Sequence, residues 1–105
     1  MYETERIDGV ASEKAILVRV ILPGQTIGDD PLDEITGLAE TAGAQIVSGL
    51  IQRRETPDVT TYLGKGKVEE LKALVEHRSA DVVIFDNDLA PSQTRNLEKA
   101  VGVKV

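Results

Sequence analysis

Short apolar runs rich in β-branched residues alternate along this chain with segments of helical period, and that alternation constrains the fold more than any other feature. Ala15-Ile16-Leu17-Val18-Arg19-Val20-Ile21-Leu22 is nearly continuous in apolar character and is closed by Pro23-Gly24. Its length and flanks predict a buried strand. Arg19 intrudes, so its charge must reach an edge or find a partner. Asp30-Pro31 then offers an acidic N-cap followed by proline at the first helical position, with Asp33 and Glu34 in the first turn. Leu32, Ile35, Leu38, Ala39 and Ala42 recur at helical spacing and predict one apolar face, stopped by Gly43. Residues 44–51 read as a second strand, weakened or bulged near Gly49.

A polar connection over residues 52–60 leads to the strand-like Thr61-Tyr62-Leu63. A Gly64-Lys65-Gly66-Lys67 turn then opens a helix with Val68, Leu71, Leu74 and Val75 on one face. Residues 81–86 give another strand. Pro91 opens a last helix in which Thr94, Leu97 and Val101 share a face, Gly102 ends it, and Val103-Lys104-Val105 reads as the start of a further strand. The order predicts a single layered α/β domain, with about four mainly parallel strands alternating with three helices and right-handed crossovers. Residues 1–14 are polar and aperiodic, a flexible leader, and residues 15–105 form the domain.

Aromatic residues make up 3% of the chain, so the core must be aliphatic. The absence of cysteine excludes disulfides, thiolate metal sites and a cysteine nucleophile, and the single histidine, His77, excludes a histidine-rich metal site built from this chain alone. His77 falls near a helix end and reads as a surface residue. No apolar run approaches the roughly 20 residues of a membrane span. The acidic N-terminus does not resemble a signal peptide, so the expected location is cytoplasmic. The net charge of −6 is uneven: residues 1–51 hold nine acidic and three basic side chains, residues 52–105 nine of each. That balance argues against a general nucleic-acid binder but leaves room for a local basic patch from Arg53, Arg54, Lys65 and Lys67.

The Gly64-Lys65-Gly66-Lys67 turn is friendly to anions, because two glycines allow a sharp turn and unpaired helix N–H groups meet two lysines. It reads equally as a phosphate contact and as plain helix entry. It is not a Walker A loop, since the spacing is too short and Val68 occupies the hydroxyl position. Asp86-Asn87-Asp88 follows a strand, but three consecutive side chains alternate in direction, and an Asx turn is the better reading than a metal site. On the last helix Gln93, Arg95, Asn96 and Lys99 form a polar face that suits either nucleic-acid contact or solvent. No catalytic set and no metal-ligand set stands out.

Several segments resemble the N-terminal domain of HflX-type GTPases. They are Leu38-Ala39-Glu40-Thr41-Ala42-Gly43-Ala44, Gln52-Arg53-Arg54, and Thr61-Tyr62-Leu63-Gly64-Lys65-Gly66-Lys67-Val68-Glu69-Glu70-Leu71. Val83-Ile84-Phe85-Asp86-Asn87-Asp88-Leu89 and Pro91-Ser92-Gln93-Thr94-Arg95-Asn96-Leu97-Glu98 continue the match in order from about residue 32 to residue 105. The resemblance implies an N-terminal α/β domain that precedes a helical linker and a GTPase domain, with GTP and Mg2+ bound in that absent domain and no cofactor in this chain. It also implies docking on the large ribosomal subunit and ribosome splitting. This chain departs from the family in carrying Ala90 where a serine is common, which should cost the last helix about 1 kcal/mol of capping.

The resemblance leaves three expectations open. The domain contacts rRNA phosphates through Arg53, Arg54, Gly64, Lys65, Gly66, Lys67, Gln93, Arg95 and Asn96. Alternatively, it binds a small nucleotide such as an adenine nucleotide, or it packs on its own GTPase domain and linker and regulates them. An unprotected sheet edge at Val105 further predicts self-association.

Overall fold

The computed structural model describes residues 13–25 and 27–105. Three parallel strands, β1 (Lys14–Ile21), β2 (Gln45–Arg53) and β3 (Val82–Phe85), lie in the order β2–β1–β3. Three helices connect or follow them: α1 (Asp33–Thr41), α2 (Lys65–Arg78) and α3 (Pro91–Val101).

The first strand is therefore the central one, and its side chains alternate between two cores. Ile16, Val18 and Val20 pack with Leu71, Val83 and Leu97 beneath α2 and α3. Ala15 and Leu17 pack with Ala39 and Ala44 beneath α1. Burial on both faces is what makes β1 read as an unbroken apolar run. Arg19, half-buried, donates from Nη1 to the Pro31 carbonyl at 2.8 Å, the partner its position required.

The α/β layering and the three helices match the sequence reading, with one strand fewer. Residues 103–105 do not extend into a fourth strand. Val82 and Lys104 form one parallel bridge, with the Val83 N–H donating to the Lys104 carbonyl at 2.9 Å. Thr61-Tyr62-Leu63 is not a strand either. Tyr62 sits at φ 69 and closes an antiparallel bridge to Asp58, so the chain turns where an extended segment was expected.

The irregularity in β2 lies at Val47, not at Gly49. Ala15 faces Ile46 and Ile16 faces Ser48, so Val47 is the extra residue. Its carbonyl accepts Arg78 Nη1 at 3.1 Å from the end of α2. Gly49 serves close packing instead, since a Cβ there would lie 2.6 Å from Leu32 Cδ1.

Helix α1 begins two residues after the expected Pro31. The Asp30 carboxylate accepts the Leu32 N–H at 3.0 Å, making a separate turn ahead of the helix. Leu38, expected in the apolar face, is 64% exposed, because the buried stripe of this nine-residue helix runs through Ile35 and Ala39. Gly43 ends the helix as expected, at φ 94, with its N–H on the Glu40 carbonyl.

Of the expected leader, residues 1–12 lie outside the described residues, and Lys14 already belongs to β1.

Candidate functional site

The carboxyl ends of the three strands converge on one edge, as a parallel sheet requires. β2 ends in Arg53, Arg54 follows it, and the chain reaches α2 through a turn held by hydrogen bonds from its own side chains and from α3. The Asp58 Oδ2 accepts the N–H groups of Thr60 and Thr61 at 2.9 and 3.0 Å and the Thr61 hydroxyl at 3.3 Å. The backbone N–H groups of Thr61 and Thr60 hold the Asp58 carboxyl below its ordinary value of 3.8, and the Thr61 hydroxyl and the Arg54 charge add to that.

From α3, Gln93 Nε2 donates to the Asp58 and Val59 carbonyls at 2.9 and 3.3 Å, and Asn96 Nδ2 donates to the Thr60 carbonyl at 2.9 Å. These two side chains, expected to face a nucleic acid, thus have their amide N–H groups directed at the loop. Gln93 Oε1 also accepts the Ala90 N–H at 2.8 Å. That is half of a capping box: Ala90 has no oxygen to return the bond, while Gln93 still caps the helix entry.

The loop delivers Gly64 to the N-terminus of α2, where no side chain caps the helix. Gln52 Oε1 accepts the Gly64 N–H at 2.8 Å. A Cβ on Gly64 would lie 2.5 Å from Arg54 Nη1 and 2.9 Å from Gln52 Nε2, so the guanidinium occupies the space a side chain would take. Arg54 is fixed by its own Nε, which donates to the Thr56 carbonyl at 2.9 Å. The first helical bond is Val68 N–H to the Gly64 carbonyl, which leaves the N–H groups of Lys65, Gly66 and Lys67 to the helix end.

Lys65 and Gly66 are exposed, as is Arg53 at the end of β2. Lys67 pairs with Glu70 at 3.1 Å, one turn on. Arg95 is exposed on α3 but follows Gln93 by two residues, about 200° around the helix. It faces away from the loop and is not brought into this group. His77 is exposed in the last turn of α2.

Asp86-Asn87-Asp88 folds back on β1. Asn87 Oδ1 accepts the Val20 N–H at 2.8 Å and Asn87 Nδ2 donates to the Val20 carbonyl at 3.0 Å. A doubly wound sheet in this order usually takes its ligand between the ends of β1 and β3. Here the amide of Asn87 joins those ends, and Asp86 and Asp88 border the remaining cavity of about 410 Å³ together with Gln25 and Tyr62. The α2 entry is no phosphate loop, since Val68 stands where such a loop needs a hydroxyl.

Gln52 and Asp58 escaped the sequence reading. Pro57-Asp58-Val59 followed by two threonines carries the mark of an Asx turn and was open to detection, whereas nothing around Gln52 signals its bond to Gly64.

The model of the GTP-binding GTPase N-terminal family matches residues 29–105. GTPase HflX of Caldanaerobacter subterraneus subsp. tengcongensis is 43% identical over 93 residues, which is 89% of this chain and 21% of that protein. The corresponding values for GTPase HflX of Flavobacterium psychrophilum are 35% over 107 residues, 100% and 25%. For GTPase HflX of Escherichia coli they are 33% over 95 residues, 90% and 22%. The chain spans about a fifth to a quarter of the length of the curated relatives it matches. Among solved structures, a mutation variant of SsGBP superposes with a TM-score of 0.60 at 19% identity, over 88% of this chain and 27% of that one, a likeness of fold alone.

Proposed function

Because the chain belongs to the GTP-binding GTPase N-terminal family, as the N-terminal domain of an HflX-type GTPase, we propose that it docks such a protein on RNA of the large ribosomal subunit. The observation that carries this reading is the uncapped start of α2. The first-turn N–H groups and exposed Lys65 stand beside Gly64, against which Arg54 packs, with Lys67 paired to Glu70 one turn on and Arg53 at the adjoining strand end. A phosphate oxygen at a helix N-terminus is matched by both the N–H groups and the dipole. The full-length protein is a cytoplasmic GTPase that splits ribosomes, and GTP with Mg2+ belongs to a domain beyond these residues.

The chemistry at this face is contact. Asn87 spans the crevice where a small nucleotide would lie, and two carboxylates border it, which favours RNA docking over nucleotide binding by this domain. The double variant Lys65→Ala/Lys67→Ala in the full-length protein should weaken binding to purified large subunits and lower the slope of log affinity against log salt by one to two, roughly 0.7–0.9 per lost phosphate contact. Unchanged affinity and slope would sink the reading.

A further inference from the structure

The chain has three aromatic residues, Tyr2, Tyr62 and Phe85, and the last two line one cavity. It is the space of about 410 Å³ at the ends of β1 and β3, completed by Gln25, Asp86, Asn87 and Asp88. Tyr62 is 9% exposed, yet its hydroxyl bonds to none of the described residues, which leaves it open to the cavity that Tyr62 lines. The residue is fixed in place. It sits at φ 69, and its N–H and carbonyl bond to the Asp58 carbonyl and N–H at 2.9 and 3.0 Å. A residue other than glycine stays in that region only where its surroundings hold it.

The charges beside the rings are unanswered. Asp86 is half-buried and Asp88 exposed, and neither carboxylate has a hydrogen-bond or ion-pair partner among the described residues. Asn87 directs its amide at Val20, and Gln25 Oε1 accepts the Leu22 N–H at 2.8 Å. Two free carboxylates repel a phosphate, which sets this cavity apart from the basic entry of α2. A hydrated divalent cation takes oxygen ligands and gains nothing from aromatic walls. A guanidinium uses every part: its plane stacks on an aromatic ring, its fork of N–H donors meets a carboxylate, and a further N–H suits the phenol oxygen.

We propose that this cavity receives an arginine side chain, held by Asp86 and Asp88 and flanked by Tyr62 and Phe85, and that the arginine comes from the remainder of the full-length protein. A pocket for one side chain binds a free partner weakly, because a single contact must offset the freedom lost on association. A tethered donor avoids much of that cost, since within one polypeptide the effective concentration reaches the millimolar range. This chain spans about a fifth to a quarter of its curated relatives, so most of such a protein lies beyond these residues and can supply the donor. The contact involves no RNA and is independent of the docking reading.

The test reads the Tyr62 ring by fluorine NMR in the chain labelled with fluorotyrosine, where Tyr62→Phe identifies its resonance beside that of Tyr2. N-acetyl-arginine amide should move the Tyr62 resonance and saturate in the millimolar range, and N-acetyl-lysine amide should bind several-fold more weakly. Asp86→Asn/Asp88→Asn should weaken the arginine derivative about tenfold or more, with the urea midpoint as the control for folding. In the full-length protein the Tyr62 resonance should already stand at the arginine-saturated position, and the same double variant should return it to the free one. A resonance that ignores the arginine derivative, or answers to MgCl2 in its place, overturns the guanidinium site. A resonance at the free position in the full-length protein overturns the internal donor, and its movement on adding large subunits then assigns the arginine to a ribosomal protein.

Discussion

The side-chain amide of Asn87 takes the place of a strand residue opposite Val20, accepting its N–H at 2.8 Å and donating to its carbonyl at 3.0 Å. The backbone of β3 leaves the ladder after the Asp86 N–H bonds to the Val18 carbonyl, and the side chain continues the pairing for one step. Asn87→Ala removes both partners of a backbone unit that adjoins the core. We expect a loss of about 1–2 kcal/mol in urea unfolding. Asn87→Asp should be no better, since it keeps the acceptor but sets a carboxylate against the Val20 carbonyl. A stability equal to wild type for either variant would show that water substitutes fully.

Gly64 tests whether the helix entry depends on an absent side chain. Its φ of −66 and ψ of 157 are open to alanine, so Gly64→Ala carries no backbone strain. The new Cβ would instead displace the Arg54 guanidinium and the Gln52 amide, both ends of flexible chains. The thermal midpoint should move by only a degree or two, about 0.5 kcal/mol or less for a chain of this size. Affinity for large subunits should fall several-fold. Equal affinity would mean that the arginine is not held there for binding.

The folded-state pKa of Asp58 lies below 3.8, chiefly through the N–H groups of Thr61 and Thr60. A depressed carboxyl pKa stabilises the fold above the unfolded value, and that contribution is lost as pH falls through the folded one. The difference in urea midpoint between wild type and Asp58→Ala should therefore be constant from pH 7 to pH 5, roughly one unit above the unfolded pKa. It should shrink below pH 3.8. A gap that widens on acidification would contradict the assigned bonds.

Gly49 of β2 and Leu32 of the turn ahead of α1 form a close pair, with 2.6 Å between Leu32 Cδ1 and the place of a Cβ. Gly49→Ala should cost about 1–2 kcal/mol by overpacking. Leu32→Ala in the same background should restore part of that loss, giving a coupling visible in a double-mutant cycle. Additive costs would show that Leu32 simply moves aside.

Regular elements with a period were legible before the structure; side-chain bonds across the chain were not. The apolar run of β1 and the helix from Lys65 follow from local pattern, and Gly43 and Gly102 mark helix ends because each adopts a positive φ. The bulge at Val47 is invisible locally, since the residue it meets, Arg78, lies 31 positions away. Gln93 and Asn96 show the same limit at the site. Their spacing reveals a polar helix face, but only the fold brings the carbonyls of residues 58–60 to it. Leu38 fails in the other direction: periodicity assigns a face without saying whether the sheet extends far enough to cover it.

The central place of β1 has a consequence for the order of folding. The strand that comes first in sequence pairs with both others, and Lys14 meets Asp81 and Val20 meets Asn87 each across 67 positions. Contacts of such separation close slowly, because a long loop must be ordered before they form. During synthesis from the N-terminus, β1 can zip to β2 early, yet its other edge waits for β3. A chain released after residue 53 would hold the most apolar strand of the domain with one side unpaired and one core face bare.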